Sequence, residues 1–414
     1  MSARFSFTTA FSPLVIGDDP QQRIAGAYVA ALDAMGGEFV GAAAASPEFP
    51  FLVFVATGGT EQIVLDIRSV RAGHAKGEPL LLVAHPGNNS LPASLEILAR
   101  VQQDGDRGRI LYLRGADDAE GLTRINAALH DVDVRQQLHS TRLGLIGPAS
   151  DWLVASMPSP QTVKDSWGPE VIPIPVAELE ARYRTEPEDA IESAEALLRE
   201  GVASIVEPDA PGLRDSARMY VAMRELVAEH RLDALTLRCF DLLLSDKTTG
   251  CFALSALTDS GVISGCESDL VSTIGLLWTQ LLLGETPWMA NPSQLDVQAN
   301  TLVLAHCTVP RGLVENVRLR SHFESGLGVG IQGDLALGPV TLLRIGGKAM
   351  NHLWVAEGAI TATGDNENLC RTQAHIALSR GHVTELLHAP LGNHTILVSG
   401  HHADQLLEWF DSVR

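Results

Sequence analysis

Aromatic residues are scarce in this chain: Phe, Trp and Tyr make up 5% of its 414 residues. The 45% hydrophobic content is nonetheless enough to bury large cores, and the length suits two or three domains. Basic residues are short too, with 30 Lys plus Arg against 50 acids for a formal charge of −20. No local basic patch offsets that charge, which argues against nucleic acid and anionic lipid as partners. No apolar run reaches membrane-spanning length. The N-terminal stretch "MSARFSFTTAFSPLVIG" has one early Arg but no sustained apolar core followed by a small-residue cleavage site, so a cytoplasmic protein is expected. Cysteines number five, at Cys239, Cys251, Cys266, Cys307 and Cys370, and their spacings match no zinc pattern. An odd count confined to the C-terminal half predicts reduced, structural thiols rather than a disulfide framework. Internal repeats of solenoid period and low-complexity tracts are missing as well.

What is present alternates. "FPFLVFVATGG" and "PLLLVAHPG" predict buried strands ending in Gly or Pro, and "SLPASLEILARVQQ" predicts a helix with Ser90 as its cap. A second cycle opens at "RLGLIGPASDWLVAS", with a strand over Leu143 to Ile146, and continues through the acidic helical stretch "PEDAIESAEALLREG". The fold class expected is α/β, with two Rossmann-like (flavodoxin-like) parallel-sheet domains whose strands carry chemistry at their carboxyl ends. After about residue 315 short alternating strands separated by Gly, Asp and Asn predict a β-rich, barrel-like domain. The boundaries expected are 1–140, 141–315 and 316–414.

Chemically able residues gather in a few places. These are Cys239 and Asp241, Glu267 and Asp269 in "GCESD", Asn291 in "MANPS", His306 and Cys307, His322 and Glu324, Arg371, and the Asn393–His394 pair. Glu267 and Asp269 precede a helix that is apolar through most of its length, where acids would also serve the helix dipole without any catalytic role. Arg371 suits an interdomain tie as well as an anion site. Gly59 and Thr60 in "TGGTE" expose backbone N–H groups to a hydroxyl-rich or anionic ligand, or simply make a tight strand-to-helix turn. "GLGVGIQG" is not a dinucleotide fingerprint, because no helical pattern follows it. Glu, His and an amide oxygen together suit a hard or borderline divalent cation such as Mn²⁺, with Mg²⁺ the alternative.

The segments "GCESD", "MANP" and "GNHTILVSGH" resemble the L-fucose isomerase and L-arabinose isomerase superfamily, in particular its shorter fucose-isomerase-like members. Glu267 and Asn291 are separated by 24 positions, a spacing similar to that of the family's first two metal ligands, and His394 falls on the third. The resemblance implies two α/β domains and a β-rich domain, a homo-oligomer (trimer or hexamer), and a Mn²⁺ site of Glu267, Asn291 and His394. Catalytic roles fall on Glu267 and Asp269. Substrate contacts fall on Cys239, His306, His322, Glu324, Arg371, Gly59 and Thr60. Asn291 departs from the family's Asp, which removes one carboxylate from the inner site.

The expectation is therefore an aldose–ketose isomerase acting through an enediol on a sugar, with an acidic substituent left open by Arg371. Two alternatives stand beside it. One is an aldolase or transaldolase using Lys247 or Lys348; the other is a non-catalytic sugar-binding protein.

Overall fold

The computed structural model describes residues 4–41 and 46–414, so the first three residues of the N-terminal stretch lie outside it. The chain divides into two compact units, Met1–Gln137 with Glu408–Arg414, and Leu138–Leu407.

The first unit alternates strand and helix: β1 (Phe5–Ala10), α1 (Pro20–Ala34), β2 (Gly37–Phe39), β3 (Phe51–Val55), α2 (Glu61–Ala72), β4 (Leu80–Ala84), α3 (Ser90–Gln103), β5 (Gly108–Tyr112) and α4 (Ala119–Ser140). Its five strands are all parallel in the order β2-β1-β3-β4-β5, the order of flavodoxin-like sheets. Every residue of β3 and β4 is buried, because both faces of the sheet are covered. Leu52, Phe54, Leu81 and Val83 pack with Leu32 of α1 and Ile125 and Leu129 of α4. The alternate residues Val53, Val55 and Leu82 pack with Val64 of α2 and Ile97 and Val101 of α3. A strand facing two apolar layers cannot show polar alternation, hence the continuous apolar runs. The cap of α3 differs from the sequence expectation: Asn89, at φ 57°, is the N-cap. Ser90 is buried instead and accepts from the His85 N–H at 3.0 Å, so its hydroxyl pins the helix to the sheet.

The second unit begins with β6 (Arg142–Ile146), α5 (Pro160–Trp167), β7 (Glu170–Ile174), α6 (Val176–Tyr183), α7 (Glu188–Arg199), β8 (Ser204–Ile205) and α8 (Ala210–His230). Then come β9 (Ala234–Leu237), α9 (Cys239–Ser245), α10 (Cys251–Asp259), β10 (Ile263–Cys266) and α11 (Leu270–Leu283). Strands β7, β6, β9 and β10 form a second parallel sheet in the order β10-β9-β6-β7. The chain order switches direction between β6 and β9, and the crevice at such a switch, at the carboxyl ends of the strands, is where ligands of open α/β sheets bind.

The remainder is β11 (Trp288–Asp296), β12 (Thr301–His306), β13 (Val314–Arg320), β14 (Gly330–Leu335), β15 (Gly338–Gly346), β16 (His352–Thr363), β17 (Thr372–Arg380), α12 (Thr384–His388), β18 (Thr395–Ser399) and α13 (Ala403–Ser412). Six of these strands close into an antiparallel barrel, β11-β12-β17-β16-β15-β18. The barrel thus takes its first two strands from residues 288–306, ahead of the change in texture near 315, and Asn291 belongs to it. Closure depends on β11 pairing with β18, Met289 opposite Ile396, a contact across more than 100 positions that no local pattern encodes. Helix α11 packs against barrel strands β15 and β18 and against β9 and β10, which is why it is apolar nearly all round. Among the described residues no helix is long and apolar enough to cross a membrane.

Candidate active site

Strand β10 ends at Cys266, and the next two residues, Glu267 and Ser268, both adopt left-handed backbone angles, φ 62° and 54°. Such angles cost free energy in non-glycine residues, and runs of them persist only where the surroundings hold them. Here the Ser268 N–H donates to Leu237 O (3.0 Å), the Ser150 N–H donates to Glu267 O (3.0 Å), and the Ser268 hydroxyl donates to Ile146 O (3.0 Å). The kink turns the chain from the strand into α11 within two residues and presents Glu267 at the carboxyl edge of the sheet. Gly265 makes this approach possible, since a Cβ there would overlap the Thr273 hydroxyl of α11.

Asp269 caps α11, accepting from the Ser272 N–H (2.9 Å) and the Ser272 hydroxyl (2.7 Å). It is fully buried and also takes Nδ1 of His394 at 2.9 Å and Nη1 of Arg344 at 3.3 Å. Asp269 therefore stands behind His394 rather than in the cavity, and the role open to it is to orient that ring. The Arg344 guanidinium, itself buried, and His394 hold the Asp269 carboxyl well below the usual carboxylate range against the opposing effect of burial.

With Nδ1 held by Asp269, Nε2 of His394 points at Glu267: the Nε2 to Oε1 separation is 3.6 Å. That is too long for a hydrogen bond, and Nε2 is a buried polar atom with no hydrogen-bond partner. The other Glu267 oxygen accepts from the Trp152 indole N–H at 2.6 Å. Trp152 comes from the loop after β6, which Arg238 braces through Ala149 O (2.6 Å) and Asp151 (3.1 Å). His306, the last residue of β12, lies edge-on to His394 with ring centroids 5.6 Å apart, and its Nδ1 is engaged by the Thr308 hydroxyl at 2.8 Å. One ligand atom each from Glu267, His306 and His394 falls within 4.8 Å of the others.

Two ligands of one ion with bonds of about 2.0–2.3 Å stand no more than about 4–5 Å apart. The three groups thus fit a single divalent cation, and the orphaned Nε2 is the polar atom such an ion would satisfy. Two imidazoles and a carboxylate favour a borderline transition metal such as Mn²⁺ over Mg²⁺, which prefers all-oxygen sites. Burial pushes the Glu267 carboxyl up, but His394 and Trp152 outweigh it and hold it net below its ordinary value. Burial lowers His394, yet the flanking Asp269 and Glu267 carboxylates raise it to about 9. His306 goes the other way: burial and the neighbouring His394 charge push it down to about 3, leaving a neutral ring.

Glu267, His306 and Trp152 line one cavity of about 390 Å³ in the second unit, with His394 set behind Glu267 and His306. Asn291, Cys239, His322 and Glu324 line it as well. His322 is kept neutral, down to about 4, chiefly by burial and then by the Arg371 charge, and its Nδ1 meets the Ser325 hydroxyl at 3.0 Å. Phe240, which the sequence did not single out, stacks edge-on to both Trp152 (4.8 Å) and His322 (5.5 Å) and forms an apolar wall. Arg371 is not among the lining residues. It is buried and its guanidinium is turned to Ser321 O (2.8 Å), Ser321 Oγ (3.3 Å) and Glu367 (3.1 Å), so it serves as a structural tie between β13 and the segment before β17. Gly59 and Thr60 belong to the first unit, where Gly59 has φ 71° and the buried Thr60 hydroxyl donates to Thr57 O at 2.8 Å. Lys247 and Lys348 are both exposed and neither lines the cavity. All five cysteines are free, and all five line it. Trp152, His306 as a partner of His394, and the cysteine wall carried no usable spacing signal, because each reaches the cavity from a different strand or loop.

The fold and site together define an α/β protein with a buried carboxylate–imidazole cluster at a sheet switch point, roofed by a β-barrel. No protein-family model matches the chain. Over 238 residues it is 27% identical to a sulfoquinovose isomerase of Alkalicoccus urumqiensis, covering 56% of this chain and 53% of that protein. Over 202 residues it is 25% identical to sulfoquinovose isomerases of Priestia aryabhattai and Priestia megaterium, covering 46% of this chain and 45% of each. The chain spans about half the length of the curated relatives it matches.

Proposed function

We propose that this protein is a carbohydrate isomerase that interconverts an aldose and a ketose through an enediol, on a sugar bearing an acidic substituent. The observation that carries the reading is the convergence of Glu267, His306 and His394, with Nε2 of His394 left without a hydrogen-bond partner 3.6 Å from the Glu267 carboxylate. The substrate class follows the name shared by the matched relatives, sulfoquinovose isomerase. A divalent metal, when bound by Glu267, His306 and His394 with Asn291 alongside, would polarise the sugar's carbonyl and hydroxyl oxygens.

The protein's own groups supply the rest. Glu267, ionised and steered by Trp152, carries the proton between C1 and C2. Asp269 fixes the His394 ring so that Nε2 faces the site. His322 and Glu324 offer hydrogen bonds to sugar hydroxyls, and Phe240 with Trp152 covers the apolar face of the ring. An exposed Lys247 and Lys348 leave a Schiff-base aldolase without its amine in the cavity, which favours isomerisation over that alternative. The test is deuterium exchange from solvent into C1 or C2 across a panel of aldoses and ketoses that includes sulfonated hexoses, with Mn²⁺ supplied. Glu267→Gln is expected to lower exchange by about 10²–10⁴-fold, the range for loss of a general base. No exchange with any sugar, or exchange unchanged by Glu267→Gln, would sink the proposal.

A further inference from the structure

Five cysteines drawn from five separate segments line one cavity, and the proposed reaction uses none of them. Cys307 and Cys370 meet through their thiols, and separately Cys239 at the start of α9 and Cys266 at the end of β10, the pair next to Glu267, place their sulfurs 3.2 Å apart. The neighbouring parallel strands set this meeting, since Cys266 is in register with Leu237, two residues before Cys239. Cys266 immediately precedes the strained Glu267. The cavity reaches solvent past Trp152, which is 50% exposed, and the exposed Glu324, so a molecule as small as hydrogen peroxide has a route to the sulfurs.

We infer that Cys239 and Cys266 form a peroxide-oxidisable dithiol in the wall of the candidate active site, and that its disulfide switches the site off. The first sulfur attacks one peroxide oxygen, so that an S–O bond forms, the O–O bond breaks, and one water leaves with the thiol proton. The second sulfur then attacks the resulting sulfenic acid; the S–S bond forms, the S–O bond breaks, and the departing hydroxide leaves as a second water with the second thiol proton. Two thiols lose two electrons and one peroxide becomes two waters. Bond formation draws the sulfurs from 3.2 Å to about 2.05 Å, and the pull falls on the residue joined to Glu267. Displacing Glu267 disrupts its spacing to His394, which is how oxidation would reach the proposed isomerase chemistry. That second half rests on the function proposed above.

The experiment treats the full chain with hydrogen peroxide, blocks remaining thiols, and maps peptides without reduction, in parallel with the sugar exchange assay. The expected result is a Cys239–Cys266 cross-link, at least a tenfold loss of exchange, and recovery of both on adding dithiothreitol. Cys239→Ser should prevent the cross-link, while Cys370→Ser should leave it in place. Peptide mapping decides the dithiol even in a protein that exchanges no sugar protons, so failure of the function and failure of the dithiol are told apart. The inference is overturned by thiols that remain reduced, by a cross-link between Cys307 and Cys370 in its place, or by cross-linked protein that keeps full exchange.

Discussion

Replacing Asp269 with Asn isolates the charge behind His394. Asn is as good an N-cap as Asp and keeps an oxygen for the Ser272 N–H, so the start of α11 should survive. What disappears is the negative charge facing two buried cations, Arg344 and the protonated His394, at 3.3 Å and 2.9 Å. Breaking a buried ion pair from one side costs about 3–5 kcal/mol, because the partner charge is left uncompensated. For the second unit, Leu138–Leu407, an unfolding entropy of about 2.1 cal/mol/K per residue makes 1 kcal/mol worth about 2 °C, so melting should fall by roughly 5–9 °C. The His394 ring loses its fixed orientation too, and loss of such a support typically lowers metal affinity by about 10–100-fold. Calorimetric unfolding and Mn²⁺ titration of the same preparation read the two effects. A variant that melts within about 1 °C of the parent, well under 1 kcal/mol on that scale, and binds Mn²⁺ with unchanged affinity would refute the positioning role of Asp269.

The pH dependence of Mn²⁺ binding follows from His394, whose pKa in the metal-free protein is raised to about 9. Proton and metal compete for Nε2, so apparent affinity should climb about tenfold per pH unit from pH 6 to 8 and level off near 9, with one proton released per ion bound at neutral pH; a flat profile by calorimetry would exclude His394 as a ligand. Without metal, a raised folded-state pKa means that His394 contributes stability fully present below about 6.5, its unfolded value, and lost as pH rises through about 9, which unfolding midpoints across that window will show. Asn291→Asp restores a carboxylate to the cavity and should tighten Mn²⁺ binding by about tenfold, since affinity rises with ligand charge; unchanged titration curves would place Asn291 outside the metal's reach. Gly265→Ala forces a methyl against the Thr273 hydroxyl and to within 3.1 Å of the Thr236 hydroxyl, an overpacking that should cost about 1–3 kcal/mol, and a melting temperature equal to the parent's would show that α11 can retreat from β10.

Local pattern sufficed wherever a feature depends on neighbours in the chain. The apolar runs 51–55 and 80–84 are buried strands because a doubly covered parallel sheet demands apolar residues on both faces. The carboxylates before α11 sit at a strand end and a helix cap, both set within a few residues. The barrel strands after residue 330 carry Gly, Asp and Asn at their turns, but 288–306 do not announce themselves, because β11 and β12 are barrel strands only through partners far along the chain. The side chains that share the cavity follow the same rule. Neither the edge-on approach of His306 to His394, the indole of Trp152 on Glu267, the retreat of Asp269 behind His394, nor the engagement of Arg371 by Ser321 has a counterpart in spacing. Sequence alone determined which residues could do chemistry and which segments fold as sheet or helix. Tertiary structure decided which of those residues meet, since separations of 27 to more than 100 positions are closed by sheet register and barrel closure, and burial then sets which groups are charged.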